Sequence, residues 1–295
     1  MSRLLDPKVL MAIKDLYLAA KTTVESFITG INKSNIKGAG IEFSQYRSYQ
    51  PGDDLRSLDW KMFARSDRYY IRESEIETSI SVRFLIDASA SMNHRDGNFT
   101  KIHFAKYVAA SLAYLTHLQG DATGLYFFQE GNLFSLPARK DHQHLTRLLY
   151  ELEYAQAGGK FTEAINYRNI FLGSRKRELL VFITDFYQQN NEIINMLELV
   201  SSLKHETIVL HIMAENELEL DYKEFTTLED LETHETIKID PQKSKKVYKQ
   251  QLNEYLLNIR TELLNKNIFY RLMSMSEPID TALRDFLNQR NKLKA

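Results

Sequence analysis

The sequence predicts an α/β protein built on a doubly wound, mostly parallel sheet, preceded by a helical and arginine-rich extension. Three observations lead there. From Val82 onward, short continuous apolar runs alternate with longer stretches of helical periodicity. Those runs do not switch between polar and apolar residues, which is the pattern of strands covered on both faces. The chain has 295 residues, long for one domain and short for two large ones, so one principal core with a smaller appendage is expected.

Residues 9–28 carry apolar side chains at helical spacing (Val9, Ile13, Leu16, Tyr17, Ala20, Val24, Phe27), and Gly30 is placed to stop that helix. A less regular region follows from 37 to 79. It holds the turn Pro51-Gly52-Asp53-Asp54, a short helix around 55–64 and a strand at 69–72. The alternation then runs through strands at 82–87, 122–128, 179–184, 207–212 and 268–272. Helices are expected at 101–118, 142–153, 190–203, 247–264 and 279–288. The division is drawn at 79: an extension over 1–79 and the sheet domain over 80–295. The acidic stretch 215–235 and the basic stretch 243–249 read as solvated surface.

Composition narrows the function classes. With 43% hydrophobic residues, 26% charged residues and a net charge of −1, the chain has no general field to draw nucleic acid or anionic membrane. It has no cysteine, which excludes disulfides, thiolate-bound metals and thiol catalysis and suits a reducing compartment. No segment approaches the roughly 20 apolar residues that cross a bilayer, and no secretory leader is visible. A cytoplasmic protein without its own membrane anchor is expected, peripheral to a membrane only through partners.

The sharpest local feature is Asp87-Ala88-Ser89-Ala90-Ser91, directly after the apolar strand ending in Ile86. A carboxylate and two hydroxyls leaving one strand end offer three oxygens to a hard cation. Alone, such a run is equally a turn that satisfies its own amides. Two further segments strengthen it: Gly158-Gly159-Lys160-Phe161-Thr162, and Val181-Phe182-Ile183-Thr184-Asp185, another strand ending in a carboxylate. Together the three resemble the metal-ion-dependent adhesion site of von Willebrand factor A domains. The resemblance implies that Asp87, Ser89, Ser91, Thr162 and Asp185 hold Mg2+ (or Mn2+ or Ca2+), some through water, with the remaining position taken by a partner's Asp or Glu. Phe186 departs from the pattern, since many such domains have glycine after the last aspartate.

The stretch from Gly40 to Ser66 closely resembles the signature of a bacterial family known as domain of unknown function fifty-eight, in which it precedes an A-type sheet. Members are typically encoded beside MoxR-type AAA+ ATPases. The resemblance therefore implies an adaptor for such an ATPase in the assembly or remodelling of client complexes. Its residues Arg47, Tyr49, Asp53, Asp54, Arg56, Asp59, Trp60 and Arg65 interleave guanidinium groups, carboxylates and aromatic rings. That mixture serves an internal ion-pair network and a partner-binding face equally well.

Rival chemistries fit less well. A haloacid-dehalogenase-type phosphatase needs a second aspartate where Ser89 stands. A Walker-type phosphate loop and a Gly-x-Ser-x-Gly elbow are absent. The pair His142 and His144 lacks further ligands nearby and reads as solvated surface. A Mg2+-dependent phosphatase is thus disfavoured and no enzymatic activity is expected. A scaffold in which the ion only stiffens the loops remains the second reading.

Overall fold

The structure is a computed structural model that describes residues 10–13, 15–33, 46–49, 63, 65, 68–72, 79–129, 133–161, 171, 177–203, 205–222 and 226–294. The chain divides into two compact units, one of residues 1–35 with 79–295 and one of residues 36–78. The N-terminal helix therefore belongs to the sheet unit.

That helix, α1 (Leu16–Lys33), starts later than its apolar spacing suggests and runs past Gly30. Asp15 sets the start by accepting a 2.9 Å hydrogen bond from the Leu18 amide, the N-cap arrangement that satisfies an otherwise orphaned donor. An interior glycine costs a helix about 1 kcal/mol, which the buried face of Leu16, Ala19, Ala20, Val24 and Phe27 outweighs.

In the smaller unit, β1 (Tyr46–Ser48) pairs antiparallel with β2 (Tyr70–Arg72). Tyr69 stacks on Phe63 with ring centroids 4.5 Å apart and meets Tyr49 at 6.2 Å. The short helix expected around 55–64 lies almost wholly outside the described residues.

The sheet unit is built on β3 (Ser81–Asp87), β6 (Ala122–Phe128), β7 (Phe134–Arg139), β8 (Leu179–Thr184), β9 (Glu206–Met213) and β12 (Phe269–Ser274), in the order β12-β9-β8-β3-β6-β7. All neighbours are parallel except β6 and β7. Helices α2 (Lys101–Leu118), α3 (His142–Tyr154), α4 (Glu192–Ser202), α6 (Pro241–Asn265) and α7 (Asp280–Lys294) cover it, together with the short α5 (Glu215–Glu219). Val82, Phe84 and Ile86 of β3 pack on one face with α1, α2, α3 and α7. Leu85, with Leu180, Phe182 and Val209, packs on the other with α4 and α6. The expected α/β class with a mostly parallel sheet is what the chain has.

Local chemistry sets the helix ends. Thr100, at the end of a short hairpin of β4 (Arg95–Asp96) with β5 (Phe99–Thr100), caps α2, and Asp141 caps α3, taking the His144 amide at 2.7 Å. Pro241 opens α6, six residues before the apolar periodicity becomes clear, because proline suits the first helical turn.

Two features were not anticipated. Strand β7 reverses direction after β6, is the edge strand of the sheet among the described residues and carries the exposed Pro137. The acidic stretch folds in part into a hairpin, β10 (Thr226–Glu229) with β11 (Thr236–Ile239). His144 also corrects the surface reading given to its pair. It is buried, and its Nε2 lies 2.7 Å from the Thr123 carbonyl, whereas His142 is exposed.

Among the described residues, no helix is long and apolar enough to cross a membrane.

Candidate functional site

The order of strands places β3 between β6 and β8, so successive crossovers from β3 leave in opposite directions. Such a switch point opens a crevice at the carboxyl ends of the two central strands. Asp87 ends β3 and Asp185 follows β8 directly.

Backbone hydrogen bonds bring the glycine loop to this crevice. Ala90 N donates to Gly159 O at 2.8 Å, and Gly158 N donates to Ala88 O at 2.9 Å. Asn93 Nδ2 adds a third tie to Ala157 O. Gly159 sits at φ 68°, a left-handed conformation that glycine adopts without a Cβ clash. The loop thus reaches the serines as the motif order requires. Thr162 itself lies outside the described residues.

Asp87, Ser89, Ser91 and Asp185 form one continuous polar chain, all buried. Ser89 Oγ is 2.7 Å from Asp87 Oδ1, 3.0 Å from Ser91 Oγ, and Ser91 Oγ is 3.1 Å from Asp185 Oδ1. The Ser89 amide also donates to Asp87 Oδ1. Three oxygen–oxygen contacts are spanned by two hydroxyls, which carry two protons between them. The third contact needs either a protonated carboxyl or a cation in its place. This oxygen-only donor set suits a hard cation.

The two aspartates differ electrostatically. Burial pushes the Asp87 carboxyl up to about 7, and the charge of Asp185 adds to the rise against the hydrogen bonds from Ser89 and Thr184. Asp185 is buried too, which opposes its charge, but Lys101 together with hydrogen bonds from the Tyr187 amide and Ser91 outweighs that and holds its pKa below the usual carboxylate range. Lys101 Nζ lies 3.0 Å from Asp185 Oδ2 and 2.6 Å from Glu217 Oε1. Burial works against the lysine charge as well, and its two carboxylate partners reverse that effect.

Sequence reasoning missed several members of this neighbourhood. Thr184 Oγ1 donates to Asp87 Oδ2 at 2.7 Å and accepts the Phe186 amide at 2.9 Å. Lys101 had one usable signal, because a cation on the first turn of a helix opposes the helix dipole. Glu217 and Glu232 had none, being two acids in an acidic stretch. Glu232 sits in the hairpin turn facing Ser89; burial raises its pKa to about 7, with Asp87 and Asp185 contributing. Burial also holds His211, beside the same ion pair, down at about 4.

Phe186 accounts for its own departure from the glycine pattern. It adopts φ 59°, the conformation glycine would take freely, and its ring is fully buried against His211 at 5.5 Å. Tyr255 donates to its carbonyl at 2.8 Å.

A cavity of about 860 Å3 adjoins the site, with Lys101, Asp185 and His211 on its wall and hairpin residues including Leu228 and Ile237 opposite them. Among the described residues, no group of three or more His, Cys, Asp or Glu side chains is placed to hold a metal ion. A cation here would rely on the serine hydroxyls as well as the carboxylates.

Of the arginine-rich signature, Arg47 pairs through its backbone with Ile71 and the Tyr49 amide donates to Tyr69 O at 3.0 Å. Arg65 is exposed. Asp53, Asp54, Arg56, Asp59 and Trp60 lie outside the described residues.

Residues 45–255 match the family described as Protein of unknown function DUF58. The uncharacterized protein Rv1480 of Mycobacterium tuberculosis is 27% identical over 231 residues, covering 77% of this chain and 72% of that protein. Among solved structures, the conserved hypothetical protein BatB from Bacteroides thetaiotaomicron is 16% identical, with a TM-score of 0.48 over 73% of this chain and 99% of that one. The SpRpn10 VWA domain is 11% identical, with a TM-score of 0.41 over 70% and 95%. The family match spans well over half of the sequence, and the chain belongs to that family.

Proposed function

We propose that this member of the DUF58 family is a Mg2+-dependent protein-binding adaptor, not an enzyme, working in the cytoplasm with a MoxR-type AAA+ ATPase. In this reading Asp87, Ser89, Ser91, Thr162 and Asp185 hold the cation, and a client's Asp or Glu completes its coordination. The observation that carries the reading is the run of three oxygen–oxygen contacts from Asp87 to Asp185 with two protons to fill them. A cation resolves that shortage without a protonated carboxyl. Mg2+ dehydrates reluctantly and keeps waters, which favours moderate, reversible capture.

The test is capture of the cognate ATPase or client by the full chain in Mg2+ and in EDTA, with Asp87→Ala beside wild type. Loss of capture in EDTA and in the variant is expected. Equal capture under all conditions would sink the adaptor reading.

One observation favours the scaffold reading. The Lys101 ammonium already pairs with both Asp185 and Glu217, so the loops have an internal cation of their own. That reading expects ion binding without any ion dependence of capture.

A further inference from the structure

A second cavity, of about 390 Å3, lies at the carboxyl end of β6, beside the last turn of α3. Phe127, Phe134 and Tyr154 line it, together with Gln129, Glu151 and Gln156. Phe127 and Phe134 meet with ring centroids 5.6 Å apart. Tyr154 packs on Tyr150, one turn earlier on α3, at 4.5 Å. Both tyrosines nonetheless face water, 65% and 57% exposed, so this end of the helix presents aromatic surface beside a cavity.

The charge around that cavity has one sign. A helix is partially negative at its C-terminus, and basic side chains in the last turn ordinarily offset this. Helix α3 has no basic residue in its last turn and places Glu151 and Glu153 there instead. Lys106 of α2 relieves one side, donating to the Glu153 carbonyl at 3.0 Å. Glu151 pairs with Arg147, one turn back, at 3.8 Å, and the Arg147 side chain is 65% exposed. Neither Lys106 nor Arg147 lines the cavity, and among its described lining residues Glu151 is the one charged group. Aromatic rings, a carboxylate and a helix C-terminus therefore meet there without a cation on the cavity wall.

We propose that this cavity binds an arginine side chain of a protein partner. A guanidinium group is planar, weakly hydrated and rich in N–H donors set in a rigid fork. Ring faces, the Glu151 carboxylate and the amide oxygens of Gln129 and Gln156 can serve such a group at once. A lysine ammonium would match the charge but not the flat aromatic surface. Ala157, also on the cavity wall, gives its carbonyl to Asn93 and precedes Gly158, whose amide is bound to Ala88. The cavity and the Asp87 site thus share a loop, and one partner can reach both. The arginine site goes beyond the ion-bridged reading and does not require it.

The experiment titrates the full chain in EDTA with N-acetyl-arginine amide, and with N-acetyl-citrulline amide as its uncharged isostere. Binding is followed by NMR at the tyrosine rings and at the amides of Gln156 and Ala157. Saturable binding of the arginine compound is expected, with the citrulline compound weaker by about threefold or more. Glu151→Gln and Tyr154→Ala alter side chains at the surface, so both variants should fold. Each is expected to weaken arginine binding by about threefold or more. If the citrulline compound binds as well as the arginine compound, charge is not what the cavity recognises and the proposal fails. It fails also if the arginine compound does not saturate, or binds with unchanged affinity in either variant. Because EDTA removes any divalent ion, these outcomes are separate from those of the Mg2+-dependent capture test.

Discussion

The ammonium of Lys101 lies 3.0 Å from Oδ2 of Asp185, with both side chains almost fully withdrawn from water and 84 residues apart in sequence. This contact joins the first turn of α2 to the end of β8 across the site, and Glu217 of α5 completes it from a third element.

Removing the lysine leaves two carboxylates short of their shared counter-charge. Lys101→Met should lower unfolding stability by about 3–5 kcal/mol, the usual effect of deleting one partner of a buried pair. Urea denaturation in EDTA measures it, and added Mg2+ should recover part of the loss. A variant as stable as wild type would show that the pair contributes nothing net.

Thr184→Val keeps the volume of the side chain and deletes the hydroxyl shared by Asp87 and the Phe186 amide. A buried carboxylate oxygen loses its donor and a buried amide loses its acceptor. A loss of about 1–3 kcal/mol is expected, while Thr184→Ser, which retains the oxygen, should cost less.

Asp87 makes the site sensitive to pH with a definite sign. Its folded pKa is raised from 3.8 to about 7, so its contribution to stability is present below about 4 and is lost as pH rises through about 7. Asp87→Asn has no such loss. In EDTA the variant should therefore gain on wild type by up to about 1.4 kcal/mol for each pH unit between about 4 and 7, with little further change above. Taking the difference between the two proteins removes the histidine titrations they share. Mg2+ affinity of wild type should rise across the same window, because ligation displaces the proton.

Phe186→Gly sets backbone strain against packing. Glycine relieves a left-handed φ that costs a side-chain-bearing residue about 1–2 kcal/mol. It also removes a fully buried aromatic ring worth about 3–5 kcal/mol. Packing wins, and the variant should unfold at lower urea concentration. A stabilised variant would mean that His211 and Tyr255 close over the gap.

Much of the scaffold was legible because a buried parallel strand writes its position into sequence as an unbroken apolar run. Residues 122–128 and 179–184 coincide with β6 and β8. Strand β7 was not legible although Phe134, Leu136 and Ala138 alternate with exposed Ser135, Pro137 and Arg139, because a proline inside so short a run argues against a strand. At the site, Asp87, Ser89, Ser91 and Asp185 could be picked out because they leave strand ends at motif spacing, and the structure joins them in one hydrogen-bonded chain. Thr184 was visible only as part of the strand-end motif, Lys101 only as a cation on a first helical turn and Glu232 not at all, because their partners lie far away in sequence. The hairpin was hidden for another reason. Strand β10 alternates only between half-buried and exposed and β11 is almost wholly exposed, and the surrounding acids give the stretch the composition of solvated surface.

Strand β7 bears on how the molecule keeps to itself. A terminal strand with a full row of free amides invites another chain to extend the ladder, the usual route to aggregation. Proline has no amide hydrogen to offer, so at Pro137, midway along β7, the chain cannot donate to a further strand. On this side the sheet has a built-in stop against recruiting further strands, and substituting Pro137 with a strand-forming residue such as valine would remove it.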